Sequence, residues 1–228
     1  MVIAAVVTIW VAQGVMYTIT GTRLVTPAVS YLVVLGGLAF VVFKEGPVLG
    51  IRWPRMRFVI AAMLIGAFAW FINLVIVSLV QPPGEVKTLE KIVDQAPLGP
   101  TIIALGVLPA ITEELVFRGA LARSLAARYS ALPAILISAA LFGAYHMVPV
   151  QMLPTFLLGL ALGFVTLRAG SVVPAMIMHF MNNTIAIVIS REEIPAVQSL
   201  LNDYPLEILG IALASVALGI TIAARGTA

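Results

Sequence analysis

Long apolar runs are the feature that most limits what this chain can fold into. Eight segments have roughly the length of 20 residues that an α-helix needs to cross the hydrocarbon core of a bilayer. They fall at about 2–20, 25–43, 57–80, 99–122, 131–148, 150–168, 171–190 and 206–224. Because backbone polar groups inside a bilayer have to be paired within the protein, we predict an all-α, polytopic transmembrane helical bundle with about eight spans.

The composition agrees with a membrane protein and excludes several other classes. Of the 228 residues, 61% are hydrophobic and 10% are charged, against about 25% charged in soluble domains. The net charge is +3, but the basic residues do not form a patch with interleaved aromatic residues. Nucleic acid is therefore not an expected partner. The absence of cysteine excludes thiolate nucleophiles and ligands. We predict one integral membrane domain over 1–228, with the first apolar run a retained span and not a signal peptide.

Basic residues are distributed unequally between the two sets of loops, which predicts the orientation in the membrane. Loops after even-numbered spans hold eight basic residues and one acid, Glu45, the basic residues being Lys44, Arg52, Arg55, Arg57, Arg123, Arg128, Arg168 and Arg225. Loops after odd-numbered spans hold four basic residues and seven acids, the acids being Glu85, Glu90, Asp94, Glu192, Glu193, Asp203 and Glu207. We therefore expect both termini in the cytoplasm, and the compactness of the chain favours a prokaryotic plasma membrane.

The segment 82–95 interrupts the apolar pattern with charges of both signs. It carries Glu85, Lys87, Glu90, Lys91 and Asp94. This patterning indicates a solvated amphipathic loop or surface helix, with gatekeeping of a substrate path as the alternative.

Two adjacent carboxylates and a guanidinium occur where water should be scarce. Glu113, Glu114 and Arg118 stand between uncharged stretches of the fourth predicted span. An ionisable group at such a depth costs about 2.5–3.5 kcal/mol and indicates a functional site. Glu114 and Arg118 are four residues apart and share a helix face, so we predict an ion pair between them. Glu113 points about 100° away, which makes it the candidate general base.

The two histidines of the chain also fall within predicted spans. His146 follows Phe142 by four residues, and His179 precedes Asn183 by four, so the second pair shares a helix face. With a rise of about 1.5 Å per residue, Glu113, His179 and His146 could meet near the midplane, His146 being the outlier. A shared polar site is favoured over separate histidines that only bond to neighbouring helices.

Other polar residues give weaker indications. Ser138 and Ser171 have no basic partner at a recognisable spacing, so a serine nucleophile is not expected. The sequon at 182–184 lies within a span and carries no weight. Gly159 and Gly163, four residues apart, are interpreted as a site of close helix packing.

Three motifs, in order on separate predicted helices, resemble one known family. They are Glu-Glu-x-x-x-Arg at 113–118, Phe-x-x-x-His at 142–146 and His-x-x-x-Asn at 179–183. Together they resemble the CPBP family, the CAAX-protease and bacteriocin-processing intramembrane proteases, also called the ABI or Rce1-like family. The resemblance covers about 98–190, which would then hold the catalytic core helices, with 1–97 and 191–228 as accessory spans and loops.

The resemblance implies an intramembrane endopeptidase and a role for each motif residue. Glu113 and His146 would activate a water for attack on a peptide carbonyl, and His179 and Asn183 would stabilise the oxyanion. Glu114 and Arg118, with Phe142, would support the site. The implied substrate is a prenylated CAAX-like C-terminus or a membrane-associated peptide, and the lipid bilayer is the other expected partner.

The sequence leaves several alternatives open. Glu113, His146 and His179 match the three-ligand set of a catalytic zinc, although the mechanism without a metal or other cofactor is favoured. A non-catalytic membrane scaffold or a bacteriocin-immunity-type protein is the second functional hypothesis. A proton-coupled transporter is the third, and the absence of an internal repeat counts against it. The oligomeric state is not predicted.

Overall fold

The described part of the protein is a helical bundle, as predicted. The computed structural model describes residues 49–80, 97–146, 149–192 and 194–225. These ranges contain helices and turns and no β-strand. The helices are α1 (Met56–Val80), α2 (Leu98–Arg128), α3 (Ala131–Tyr145), α4 (Pro149–Ala169), α5 (Val173–Ser190), α6 (Pro195–Asp203) and α7 (Pro205–Ala224).

Six of the eight predicted spans fall on helices of the structure. Within the described ranges, five helices are long and apolar enough to cross a membrane, namely α1, α2, α4, α5 and α7. The predicted spans at 2–20 and 25–43 and the polar segment 82–95 lie outside the described residues.

The span predicted at 131–148 is shorter than expected. Helix α3 has 15 residues, or about 22 Å at 1.5 Å per residue, which is less than the roughly 30 Å thickness of a hydrocarbon core. It ends at Tyr145, immediately before His146, and Pro149 already begins the next helix. Proline favours the first turn of a helix, so the apolar run 131–168 is divided at this point.

Helix α2 carries the acid pair and is irregular. Its segments Ile103–Val107 and Leu115–Ala122 are π-helical, and the α-helical turn Leu108–Glu114 lies between them. The wider turns of a π-helix are rare inside α-helices, and those that occur are often found at functional sites. Glu113 and Glu114 therefore stand at the end of a regular turn, directly before a widened one.

Helix α1 lies against both α5 and α7 and makes its closest approaches through glycines. A Cβ on Gly66 would stand 2.5 Å from the carbonyl oxygen of Met178 on α5. A Cβ on Gly219 of α7 would stand 2.6 Å from the Ile65 side chain. The predicted packing role of Gly159 and Gly163 is confirmed, since both face α3, at Ala139 and Ile135 respectively.

Arginines tie the helix ends together on one side of the bundle. Arg52 and Arg123 both donate to the carbonyl of Gly170, directly after α4, and Arg168 donates to the carbonyls of Ala223 and Ala224. Unpaired carbonyls at helix C-termini are acceptors for such cations. Basic residues from different predicted loops of one set thus share one end of the bundle, while the orientation in the membrane stays a prediction.

Candidate active site

The acid pair on α2 is completely enclosed by protein. Glu113 is 2% exposed, and Glu114 and Arg118 are not exposed at all. The predicted ion pair is present, with 2.9 Å between Glu114 Oε1 and Arg118 Nη1. Arg118 Nη2 also donates to the carbonyl of Gly159 on α4, at 3.3 Å. A buried ion pair needs such additional partners because the groups have lost their hydration.

His179 binds the same carboxylate oxygen. Its Nδ1 lies 2.9 Å from Glu114 Oε1. An ionised carboxylate can accept hydrogen bonds but cannot donate them. Nδ1 of His179 is therefore the protonated nitrogen, and Nε2 is left for other partners. This contact joins α2 to α5, and the sequence analysis did not find it, because residues 65 positions apart have no spacing that indicates contact.

His146 is oriented by its own helix. Its Nδ1 lies 2.9 Å from the carbonyl oxygen of Phe142, four residues earlier. A carbonyl only accepts, so Nδ1 is again the donor and Nε2 remains available. The spacing of the Phe-x-x-x-His motif thus places the acceptor one helical turn before the imidazole, at the end of α3.

The ring of Phe142 lies between the imidazoles and the arginine. It makes edge contacts with His146 and His179, at centroid distances of 5.0 and 5.8 Å. The Arg118 guanidinium carbon is 4.1 Å from the ring centroid, a cation–π distance. Phe142 is fully buried. Its ring therefore packs between the imidazoles and the guanidinium and keeps water out of the space between them.

Two neighbouring amides on α5 form a short hydrogen-bond chain. Asn183 Nδ2 donates to the carbonyl of Leu105 at 3.0 Å, and Asn182 Nδ2 donates to Asn183 Oδ1 at 3.1 Å. Leu105 belongs to the first π-helical segment of α2. Asn183 therefore keeps one amide hydrogen that these two hydrogen bonds do not use.

A single cavity of about 370 Å³ brings most of the predicted site residues together. It is lined by Asn73, Val77, Leu105, Pro109, Glu113, Phe142, His146, Gln151, Pro154, Thr155, Leu158, His179, Asn182 and Asn183. Glu114 and Arg118 are not among the lining residues. Glu114 binds His179 from outside the cavity, and Arg118 is paired with Glu114.

Three carboxamide residues that line the cavity were not predicted as site residues from the sequence: Asn73, Gln151 and Asn182. Asn73 is an uncharged polar residue inside an apolar span, and this was the only signal for it. Asn182 was considered solely as part of a sequon, although it shares a helix face with His179 at a spacing of three.

The metal-dependent alternative does not fit the geometry of the described residues. Among them, no group of three histidine, aspartate or glutamate side chains is arranged so that it could hold a metal ion. Glu113, His146 and His179 line the same cavity without forming such a group. The polar side chains that line the cavity at these positions are acid, imidazole and amide groups.

The fold and the cavity define a class: a helical membrane protein with a buried acid–imidazole site inside its bundle. Residues 95–185 match the family model described as type II CAAX prenyl endopeptidase Rce1-like. The matched segment runs from α2 into α5, and the match supports the resemblance to CAAX-type membrane proteases that the three motifs indicated. No curated protein and no solved structure matches the chain.

Proposed function

We propose that the protein is an intramembrane endopeptidase that hydrolyses a peptide bond with a water activated by side chains. One observation carries the proposal: Glu113, His146, His179 and Asn183 line a single cavity. The matching family supports protease activity at the coarse level. The residue roles below are supported by the hydrogen-bond directions in the site.

Glu113 and His146 are the groups proposed to activate the water. The Nδ1 proton of His146 is donated to Phe142, so Nε2 of the neutral ring has a lone pair that can accept from water. Glu113 is 2% exposed and lines the same cavity, so its carboxylate is the second group there that can accept a proton from water. One of the two takes the proton as the hydroxide attacks the carbonyl carbon. The proton then passes to the leaving amine.

His179 and Asn183 are proposed to stabilise the oxyanion. Asn183 keeps one amide hydrogen beyond its bond to Leu105. Glu114 holds His179 through Nδ1, so Nε2 is the nitrogen available to the substrate, and it donates when the ring carries both protons. Donors fixed in advance at the point where negative charge develops lower the barrier most effectively. Glu114 and Arg118 act as positioning residues in this scheme.

The substrate and setting follow the family at a coarser level. The proposed substrate is a CAAX-like C-terminus or another membrane-associated peptide. The protein is integral to the membrane, and we propose a prokaryotic plasma membrane with both termini in the cytoplasm. All spans would form one domain, with 98–190 holding the chemistry.

The test is a comparison of protein termini in cells that carry the wild type or Glu113→Ala. New termini that require Glu113 identify the substrate, and a peptide spanning that site then serves as the probe for purified protein. Glu113→Gln should lower kcat about 10²–10⁴-fold while the protein stays folded, because the amide cannot take a proton from water. Glu207→Gln, which changes an exposed acid on α7, is the matched control.

The opposite result is equally clear. If no terminus depends on Glu113, or if Glu113→Gln cleaves like the wild type, the protease proposal is wrong. The non-catalytic scaffold is then the better description of the protein.

A further inference from the structure

Three neutral amides that the proposed reaction does not use also line the cavity. Asn73 comes from α1, Gln151 from α4 and Asn182 from α5. We call these three residues the amide cluster. The proposed reaction gives none of them a direct part in activating water or binding the oxyanion, although Asn182 donates to Asn183. Asn73 also lies outside the segment that matches the protease family.

The orientation of the Asn182 amide is fixed by its neighbours. The carbonyl of Leu105 can only accept, so Asn183 turns Nδ2 toward it and presents Oδ1 to Asn182. Asn182 must then donate with Nδ2, which leaves its Oδ1 as the unused end. Asn182 is 7% exposed, and its Oδ1 has no hydrogen-bond partner among the described residues. Native structures seldom leave a buried acceptor unpaired without a reason.

A protease inside a bilayer has a need that this acceptor meets. The peptide bond to be cut has to leave its helix, and the freed backbone N–H and C=O groups then find no water. The enzyme has to supply partners for them, because an unpaired polar group in an apolar medium is costly. Carboxamides both donate and accept, and they carry no charge that would itself need burial.

We infer that the amide cluster is a binding subsite for the unwound main chain of the substrate, in which Asn182 Oδ1 accepts a backbone N–H. The inference rests on the proposed protease function and deepens it. Asn182 lies three residues from His179 on the same face of α5, a rise of about 4.5 Å. An extended peptide advances about 3.3 Å per residue, so the bound N–H belongs to a residue one or two positions from the scissile carbonyl. The substrate is extended there.

The experiment uses the probe peptide defined by the Glu113-dependent terminus, and a series of it with one backbone nitrogen methylated at a time. Wild type, Asn182→Leu and the control Asn202→Ala, an exposed asparagine on α6, are compared in vesicles. Asn182→Leu should raise KM about tenfold with a smaller change in kcat, as expected for one lost hydrogen bond to a buried group. Methylation of the backbone nitrogen at one position should raise the KM of the wild type by a similar factor. The same methylation should not change the KM of Asn182→Leu.

The outcomes separate this inference from the function on which it rests. If cleavage requires Glu113 but Asn182→Leu keeps the wild-type KM and the wild-type sensitivity to methylation, the subsite is wrong and the protease stands. If no cleavage requires Glu113, both are wrong. Should Asn182→Leu fail to fold, Asn182→Ser replaces it, and a wild type that is indifferent to methylation at every position overturns the inference by itself.

Discussion

His179 and Glu114 are 65 residues apart in the chain and meet at 2.9 Å, between Nδ1 and Oε1. The same carboxylate oxygen receives Nη1 of Arg118 at 2.9 Å. One oxygen thus joins an imidazole on α5 to a guanidinium on α2. The contact is fully enclosed, and it fixes which nitrogen of His179 carries a proton.

Glu114→Gln should destabilise the protein and lower its activity together. The change leaves Arg118 as a buried cation without its counter-ion, and breaking a buried pair in this way costs about 3–5 kcal/mol. It also replaces the charged acceptor of His179 with a neutral amide oxygen, which weakens the hydrogen bond that orients the imidazole. Thermal unfolding in detergent and the rate of probe cleavage measure the two effects. The double variant Glu114→Leu with Arg118→Met should recover stability but not cleavage, and an unchanged melting temperature for Glu114→Gln would contradict the prediction.

Gly66→Ala should weaken the protein although it adds only one methyl group. The new Cβ would stand 2.5 Å from the carbonyl oxygen of Met178, so α1 and α5 have to separate. Overpacking of this kind costs about 1–3 kcal/mol, and the shift displaces His179, the next residue on α5. Gly210→Ala is the control, since a Cβ there meets nothing within 4 Å. Equal melting temperatures for the two variants would show that the helices separate without cost.

Phe142→Leu should lower both kcat and the stability of the protein. Expressed as free energies, the effect on kcat should be the larger of the two. The substitution keeps an apolar side chain but removes the edge contacts to both imidazoles and the face under Arg118. Loss of a buried cation–π contact costs about 2 kcal/mol. Phe164→Leu, at a partly buried ring that packs against the same core, provides the comparison. If both variants cleave the probe at the same rate, the Phe142 ring is core packing alone.

Metal removal should leave cleavage unchanged. The described residues contain no group of three acid or histidine side chains that could hold a metal ion, and the proposed chemistry needs none. Metal analysis of the purified protein and cleavage after treatment with a chelator test this. Stoichiometric zinc, with activity that is lost to the chelator and restored by zinc, would reverse the assignment and return Glu113, His146 and His179 to the role of ligands.

The spacing of residues along the sequence was sufficient to predict a contact where both groups belong to one helix. The pairing of Glu114 with Arg118 follows from a separation of four residues, and the spacing of the Phe-x-x-x-His motif agrees with the bond from His146 to the Phe142 carbonyl. The apolar runs located α1, α4, α5 and α7 to within a few residues. They did not reveal that α3 stops after 15 residues, because apolar character continues through the break.

The sequence by itself determined a membrane-embedded helical bundle, since uninterrupted apolar runs of about 20 residues have the length of a helix that crosses a bilayer and pairs its own backbone. It also determined which ionisable groups would have to be buried. Only the tertiary structure decided their partners. The bond from His179 to Glu114, the ring of Phe142 between two helices and the contribution of Asn73 to the cavity all depend on how the helices pack. That packing is set by shape at close approaches such as Gly66 against Met178, and hydropathy carries no record of shape.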